Sequence, residues 1–121
     1  MSDILRIGAL NAFVLLFVMA PLTETAIECV LPYRVLNSLI GRQGAHAWFF
    51  IFVSSSLLTM LHIGIYGMAF LPQVPSALLT GAFLAYCFAH FAGQSLLKAF
   101  LYTCLLHALM NVSPFLRMFV F

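Results

Sequence analysis

The chain has 121 residues, of which 64% are apolar and only 7% are charged, and its formal net charge is +2. A soluble domain carries about a quarter charged residues because its surface must face water, so this composition excludes a soluble globular fold. The net charge is also too small to indicate binding of nucleic acid. We therefore expect a protein whose outer surface faces a lipid bilayer.

Three stretches contain no Asp, Glu, Lys or Arg: residues 7–23, 43–97 and 99–116. About 20 apolar residues cross the hydrocarbon core as a helix, so the middle stretch of 55 residues has room for two helices and a turn. Backbone amides in hydrocarbon must be satisfied within their own segment, which predicts helices. The predicted fold is all-α: a polytopic membrane helical bundle of about four transmembrane helices, in a single domain over residues 1–121.

The first helix is predicted over residues 4–22. It resembles a signal peptide, but Pro21 directly after the candidate cleavage site argues against processing, so we expect a retained helix. A segment over residues 24–40 follows and contains Pro32. It either extends the first helix or forms a short kinked segment that lies partly in the membrane interface.

Glycine and proline positions set the remaining elements. These are a turn at 41–44, a helix over 46–66, a turn over 67–75, a helix over 76–91, a turn at 93–95 and a helix over 96–112 that Ser113 and Pro114 end.

The basic residues favour, by a margin of one charge, an orientation with both chain termini outside the cytoplasm. We expect a multi-pass protein of a bacterial inner (plasma) membrane.

Polar residues at membrane depth are the candidates for chemistry, because an ionisable group there costs about 2.5–3.5 kcal/mol on insertion scales. Glu24 and Glu28 are four residues apart and share a helix face, as do His107 and Asn111. His62 lies deep in the second predicted helix. Three helices can therefore direct a carboxylate, an imidazole and an imidazole–amide pair into one bundle interior.

This set of groups allows several functions. A carboxylate and two imidazoles can activate water as a general base, or hold a divalent metal with an open coordination position. A neighbouring amide can stabilise an oxyanion. Alternatively, each side chain serves only as a hydrogen-bond partner between helices, or the two histidines act as paired axial ligands of a haem. The three cysteines show no metal or redox spacing and are interpreted as packing residues.

Three segments in order resemble the motifs of the CPBP family, which contains CAAX prenyl proteases and bacteriocin-processing enzymes. They are Ala-Pro-Leu-Thr-Glu-Thr at 20–25, Ser-Ser-Ser-Leu-Leu-Thr-Met-Leu-His at 54–62 and His-Ala-Leu-Met-Asn at 107–111. The resemblance implies that Glu24 activates water with the help of His62. It implies that His107 and Asn111 polarise the scissile carbonyl or stabilise its oxyanion.

The chain also departs from the usual family pattern. Thr25 stands where a second Glu is expected, Cys29 where an Arg is expected, and Leu58 replaces a Phe. The family usually has about eight crossings, although a variant pattern that runs from Ala-Pro-x-x-Glu-Thr to a later proline matches this chain through Pro32. Two functions stay open: a divergent endopeptidase that cleaves a protein or peptide substrate, and an inactive relative that serves as a partner or assembly subunit of a membrane complex.

Overall fold

The computed structural model describes residues 2–40 and 44–119, and helix extends through nearly all of them without a strand. The helices are numbered in chain order as residues 2–40 (first), Gly44–Tyr66 (second), Val74–Ala92 (third), Leu96–Met110 (fourth) and Val112–Phe119 (fifth). A 3-10 helix, Gly67–Gln73, joins the second helix to the third. The all-α prediction is therefore confirmed for the described residues, while most of the turn predicted at 41–44 lies outside them.

Three helical stretches within the described ranges are long and apolar enough to cross a membrane. They are Gly8–Leu39, Trp48–Ala92 and Leu96–Arg117. These stretches agree with a membrane protein. The predicted count of four crossings is not confirmed, because residues 48–92 form one candidate stretch of 45 residues by length and hydropathy.

The first helix is continuous, so the segment over 24–40 extends it. Two π-helical turns, Leu15–Met19 and Ala26–Val30, interrupt its α-helical hydrogen bonding. Each of these wide turns ends two residues before a buried proline, Pro21 or Pro32. A proline ring clashes with the carbonyl four residues earlier and offers no N–H, and a wider turn at that carbonyl relieves the clash. Pro32 therefore does not end the helix.

The second and third helices pack closely along one small-residue face. Ala77, Gly81 and Ala85 recur every fourth residue on the third helix and are buried. A Cβ atom at Gly81 would lie 2.8 Å from the Cα atom of Ser55, so the two backbones are in direct contact there. Gly67 begins the connecting segment with a φ of +71°, a conformation that side chains other than glycine disfavour.

The fourth helix begins as predicted after the turn at Gly93 and Gln94. Ser95 caps it by accepting a hydrogen bond from the Lys98 N–H at 3.4 Å. The helix ends at Met110, and the fifth helix, which the sequence did not predict, starts one residue after Asn111. Pro114 falls in the first turn of that fifth helix, where an N–H is not needed, so it does not stop the chain from continuing in helix.

The interior of the bundle contains polar side chains as well as apolar ones, and the outer surface is largely apolar. The buried polar residues form a group that we call the polar seam: Thr25, Glu28, Ser54, Ser55, Thr59, Thr103 and His107. Many large apolar side chains are more than half exposed, among them Leu39, Trp48, Phe52 and Leu79. Contiguous exposed apolar surface of this extent suits contact with lipid. Aromatic rings of Tyr33, Phe50 and Phe88 close one end of the core.

Candidate functional site

A carboxylate and an imidazole meet between the first and fourth helices. The Nε2 atom of His107 lies 3.0 Å from the Oε2 atom of Glu24, which is the only ion pair in the described part of the chain. The imidazole N–H donates and the carboxylate oxygen accepts. The side chain of His107 is 7% exposed and that of Glu24 is 23% exposed. The contact is thus an internal one, with the carboxyl group partly open to the surroundings.

The two helices that carry this pair run antiparallel. Leu16, early in the first helix, binds Asn111 at the late end of the fourth helix, whereas Pro21 and Glu24 bind the earlier residues Cys104 and His107. These contacts join residues 16–24 of the first helix to residues 104–111 of the fourth.

The position of the pair along the bundle follows from helix geometry. Glu24 precedes Arg34 by ten residues, and His107 follows Ser95 by twelve. At 1.5 Å per residue, these separations place the pair about 15–18 Å below the end of the bundle where Arg34 and Ser95 lie. This distance is about half the thickness of a hydrocarbon core, which is about 30 Å.

Asn111 shares the helix face of His107, as predicted, but it does not contact Glu24. Its Nδ2 atom donates a hydrogen bond of 2.6 Å to the backbone carbonyl of Leu16. In the π turn, the Ala20 N–H donates its hydrogen bond to the Leu15 carbonyl instead of the Leu16 carbonyl. The next backbone N–H that could bind the Leu16 carbonyl would be that of residue 21, which is a proline. Pro21 has no N–H to give. Asn111 therefore satisfies a carbonyl that the proline leaves without a partner, as polar side chains do in membrane helices.

His62 is held by its own helix. Its Nδ1 atom lies 2.8 Å from the carbonyl oxygen of Leu58, and its ring stacks on that of Phe70 at a centroid distance of 5.3 Å. A carbonyl can only accept, so the proton of this hydrogen bond resides on Nδ1. In the neutral ring the lone pair is then on Nε2. A backbone bond of this type is the usual means of fixing a catalytic or ligating histidine in one tautomer.

The depth of His62 is close to that of the acid–imidazole pair. Cys29 Sγ lies 3.6 Å from Ser54 Oγ, which sets the register of the first and second helices. These helices are also antiparallel, so eight further residues along the second helix bring His62 to the level of Pro21, about one helical turn from Glu24. The predicted set of Glu24, His62 and His107 is thus only partly brought into contact: two members touch, and His62 binds a backbone carbonyl.

Glu28 is the residue whose environment the sequence did not reveal. Its spacing from Glu24 predicts a shared helix face but not burial. In the structure its exposed fraction is 3%, and its Oε1 atom has no hydrogen-bond partner among the described residues. It lies in the second π turn, beside Cys29. A carboxyl oxygen buried without a partner is costly, which marks the polar seam as more than packing.

The sequence also allows a divalent metal at these residues, so ligand groups and cavities were compared with the site. Within residues 2–40 and 44–119, no three His, Cys, Asp or Glu side chains are grouped closely enough to hold a metal ion. Clefts of about 440 Å³ and 360 Å³ lie at opposite ends of the bundle. Neither of them is lined by Glu24, His62 or His107. The acid–imidazole pair therefore lies outside both clefts.

Comparison with known proteins adds no relative. No model of a known protein family matches the chain, and no curated protein or solved structure matches it either.

Proposed function

We propose that this chain is a divergent, short CPBP-type intramembrane endopeptidase in which Glu24 activates water. The hydrogen bond between Glu24 and His107 is the observation that carries the proposal. Residues 83 positions apart converge on it from different helices, at a depth where an ionisable group is expensive unless it is paired or used. The order of the three sequence motifs supports the same assignment.

The chemistry assigned to these groups is a peptide hydrolysis. Glu24 accepts a proton from water through the carboxylate oxygen that does not bind His107, and the resulting hydroxide forms a bond to the scissile carbonyl carbon. His107 holds the carboxylate in place by donating a hydrogen bond from its Nε2–H. His62 presents its Nε2 lone pair as the second base or acceptor. The C–N bond then breaks, and Glu24 returns the proton to the leaving amine.

The proposal includes a topology of four crossings. The stretch over residues 48–92 contains two helices of 23 and 19 residues that pack on each other and are joined by the 3-10 segment. At 1.5 Å per residue they measure about 34 and 28 Å, and each alone matches the hydrocarbon thickness. The site then lies at mid-bilayer, so the substrate class is a membrane-spanning or membrane-inserted peptide segment.

The test is a comparison of newly formed protein N-termini in membranes of cells that express the chain or a variant. Glu24→Gln keeps the shape of the side chain but cannot take a proton from water. We expect it to lower cleavage by at least about 10²-fold, the usual contribution of a general base. His62→Ala should lower cleavage as well, whereas His90→Ala is the matched control, because His90 is exposed at the end of the third helix. Cleavage that is unchanged in both Glu24→Gln and His62→Ala contradicts the mechanism.

A second candidate function is that of a non-catalytic partner or assembly subunit. The observation that favours it is the use of polar side chains on backbone carbonyls: Asn111 binds Leu16, His62 binds Leu58, and the Cys104 thiol lies 3.4 Å from the Pro21 carbonyl. Under this function, Glu24→Gln lowers stability or binding of a co-purifying protein in fixed ratio, and wild-type membranes show no cleavage products that depend on Glu24.

A further inference from the structure

One end of the bundle contains a cleft with a cation and no anion. The cleft has a volume of about 440 Å³. Tyr33, Arg34 and Asn37 of the first helix line one wall, and residues 92–96, at the turn between the third and fourth helices, line the other. This volume is within the range of about 300–1,000 Å³ that small-molecule sites occupy.

Arg34 has no carboxylate partner within the described part of the chain. The sequence contains three acidic residues. Glu24 binds His107, and Glu28 is buried within the polar seam. Asp3 lies 31 residues earlier on the same helix as Arg34, about 46 Å away along the helix axis. Among the described residues, no acidic side chain therefore lies close enough to neutralise Arg34.

The lining combines charge with hydrogen-bonding groups. Asn37 and Gln94 each offer an amide, and Ser95 offers a hydroxyl, around the guanidinium group of Arg34. A guanidinium group presents planar, paired N–H donors that match the oxygens of a phosphate. Amide and hydroxyl donors in the same cleft can bind its remaining oxygens. The chemistry of the cleft thus fits a phosphate group better than an apolar ligand.

The cleft also lies at the depth of lipid headgroups. Residues 93–95, which line the cleft, separate the apolar stretches Trp48–Ala92 and Leu96–Arg117, so the cleft lies where both stretches end. Tyr33, which also lines the cleft, packs its ring against the buried rings of Phe50 and Phe88. From this position and lining, we propose that the cleft binds the phosphodiester headgroup of an anionic phospholipid, with Arg34 as its principal contact.

The second cleft supplies a matched control. It has a volume of about 360 Å³ at the opposite end of the bundle and is lined mainly by apolar residues together with Ser113 and Arg117. It therefore contains one arginine, like the first cleft, but lacks the amide groups. An effect of charge alone would appear equally at Arg34 and Arg117.

The experiment is native mass spectrometry of the purified full chain in detergent, titrated with phosphatidylglycerol, phosphatidylcholine or inorganic phosphate. We expect one retained phosphatidylglycerol molecule, and an affinity about tenfold or more weaker in Arg34→Gln, which corresponds to the loss of a charged hydrogen bond. Arg117→Gln should stay within about twofold of wild type, and circular dichroism checks that both variants keep their helix content.

Three outcomes would overturn the inference. Equal weakening in Arg34→Gln and Arg117→Gln would show that only net charge matters. Retention of phosphatidylcholine as strong as that of phosphatidylglycerol would remove the selectivity for an anionic lipid. Displacement of the bound lipid by inorganic phosphate at comparable concentration would make free phosphate the ligand. None of these results bears on the role of Glu24, so this inference and the proposed hydrolysis can fail separately.

Discussion

A carboxylate in the middle of a bilayer has no bulk water to solvate it, so the groups that it contacts determine its energy. Glu24 contacts His107 at 3.0 Å through one carboxylate oxygen, and its side chain remains 23% exposed. Breaking a buried ion pair from one side costs about 3–5 kcal/mol in soluble proteins, because the remaining charge is left unpaired. Hydrogen bonds between membrane helices are weaker, at about 1–2 kcal/mol at most.

A double-mutant cycle measures this interaction directly. We expect Glu24→Gln and His107→Gln to destabilise the protein individually, and the double variant to be less destabilised than the sum by about 1–2 kcal/mol. The measurement is reversible unfolding in mixed micelles. The pair Gln94→Ala and His90→Ala, both exposed, is the additive control. Strict additivity at Glu24 and His107 would mean that the contact is absent in the membrane.

The hydrogen bond from Asn111 to the Leu16 carbonyl leads to a prediction about Pro21. Asn111→Leu should cost about 1–3 kcal/mol, because a buried carbonyl loses its donor. Pro21→Ala restores an N–H at the position that would otherwise bind the Leu16 carbonyl. Asn111→Leu should therefore cost less in the Pro21→Ala background, which the same unfolding measurement can detect. An equal cost in both backgrounds would rule out the proline as the reason for this bond.

At the residue scale, the shared helix face of His107 and Asn111 follows from their spacing alone, whereas the contacts of these residues do not. The contact of Asn111 with Leu16 could not be predicted, because it depends on a carbonyl that becomes free only when the turn before Pro21 widens. His62 was expected to face the common interior, but the carbonyl of Leu58 is always within reach in its own helix and needs no other helix.

At the element scale, the close packing of the second and third helices depends on the absence of large side chains from one face of the third helix. Lipid tails are as apolar as leucine, so membrane helices associate through close van der Waals contact and small residues rather than through the hydrophobic effect. The third helix supplies Ala77, Gly81 and Ala85, and the second supplies Ser54 and Ser55. The most intimate contact in this interface is the approach of Gly81 to the backbone of Ser55.

Gly81→Ala tests that contact. The added methyl group would lie 2.8 Å from the Ser55 Cα atom, which is backbone and cannot turn aside, so the helices must separate. We expect a loss of stability of about 1–3 kcal/mol. Gly64→Ala is the control, because a Cβ atom there meets nothing within 4 Å, and alanine favours helix over glycine by about 0.5–1 kcal/mol. Equal effects of the two substitutions would show that the second and third helices are not in close contact at Gly81.

Element boundaries could largely be predicted because they follow charge, glycine and proline. The second helix was predicted over 46–66 and spans Gly44–Tyr66, and the third was predicted over 76–91 and spans Val74–Ala92. The π turns could not be predicted, since a proline in a helix can also kink it or end it and the sequence does not distinguish these responses. Tertiary contacts, here those of Asn111 and Cys104 near Pro21, favour the continuous helix.

At the scale of the whole molecule, the first helix is longer than a bilayer is thick. Its 32-residue apolar stretch measures about 48 Å, compared with a hydrocarbon core of about 30 Å. Membrane helices tilt by up to about 40°, which shortens the projection of this helix only to about 37 Å. One end of it must therefore extend beyond the hydrocarbon, and Arg34 lies in such an end.

The proposed four crossings predict which connections share a side of the membrane. Gln73 and Gln94 are both exposed and lie at opposite ends of the third helix. Single cysteines at these positions, Gln73→Cys and Gln94→Cys, should react with a membrane-impermeant maleimide from opposite sides of sealed vesicles. The unsubstituted chain, with Cys29 and Cys104 buried and Cys87 half-buried, gives the background. Labelling of both positions from one side would contradict a crossing by the third helix.

The carbonyl of Leu16 and its donor, Asn111, are separated by 95 residues, and this distance has a consequence for biogenesis. A nascent chain emerges from the ribosome in order, so the first helix enters the membrane long before Asn111 is synthesised. Until then its Leu16 carbonyl has no intramolecular donor, a state that costs several kcal/mol in hydrocarbon. The first helix therefore reaches its full set of hydrogen bonds only after the fourth helix has been synthesised, and chains that end before Asn111 should be less stable than the full chain.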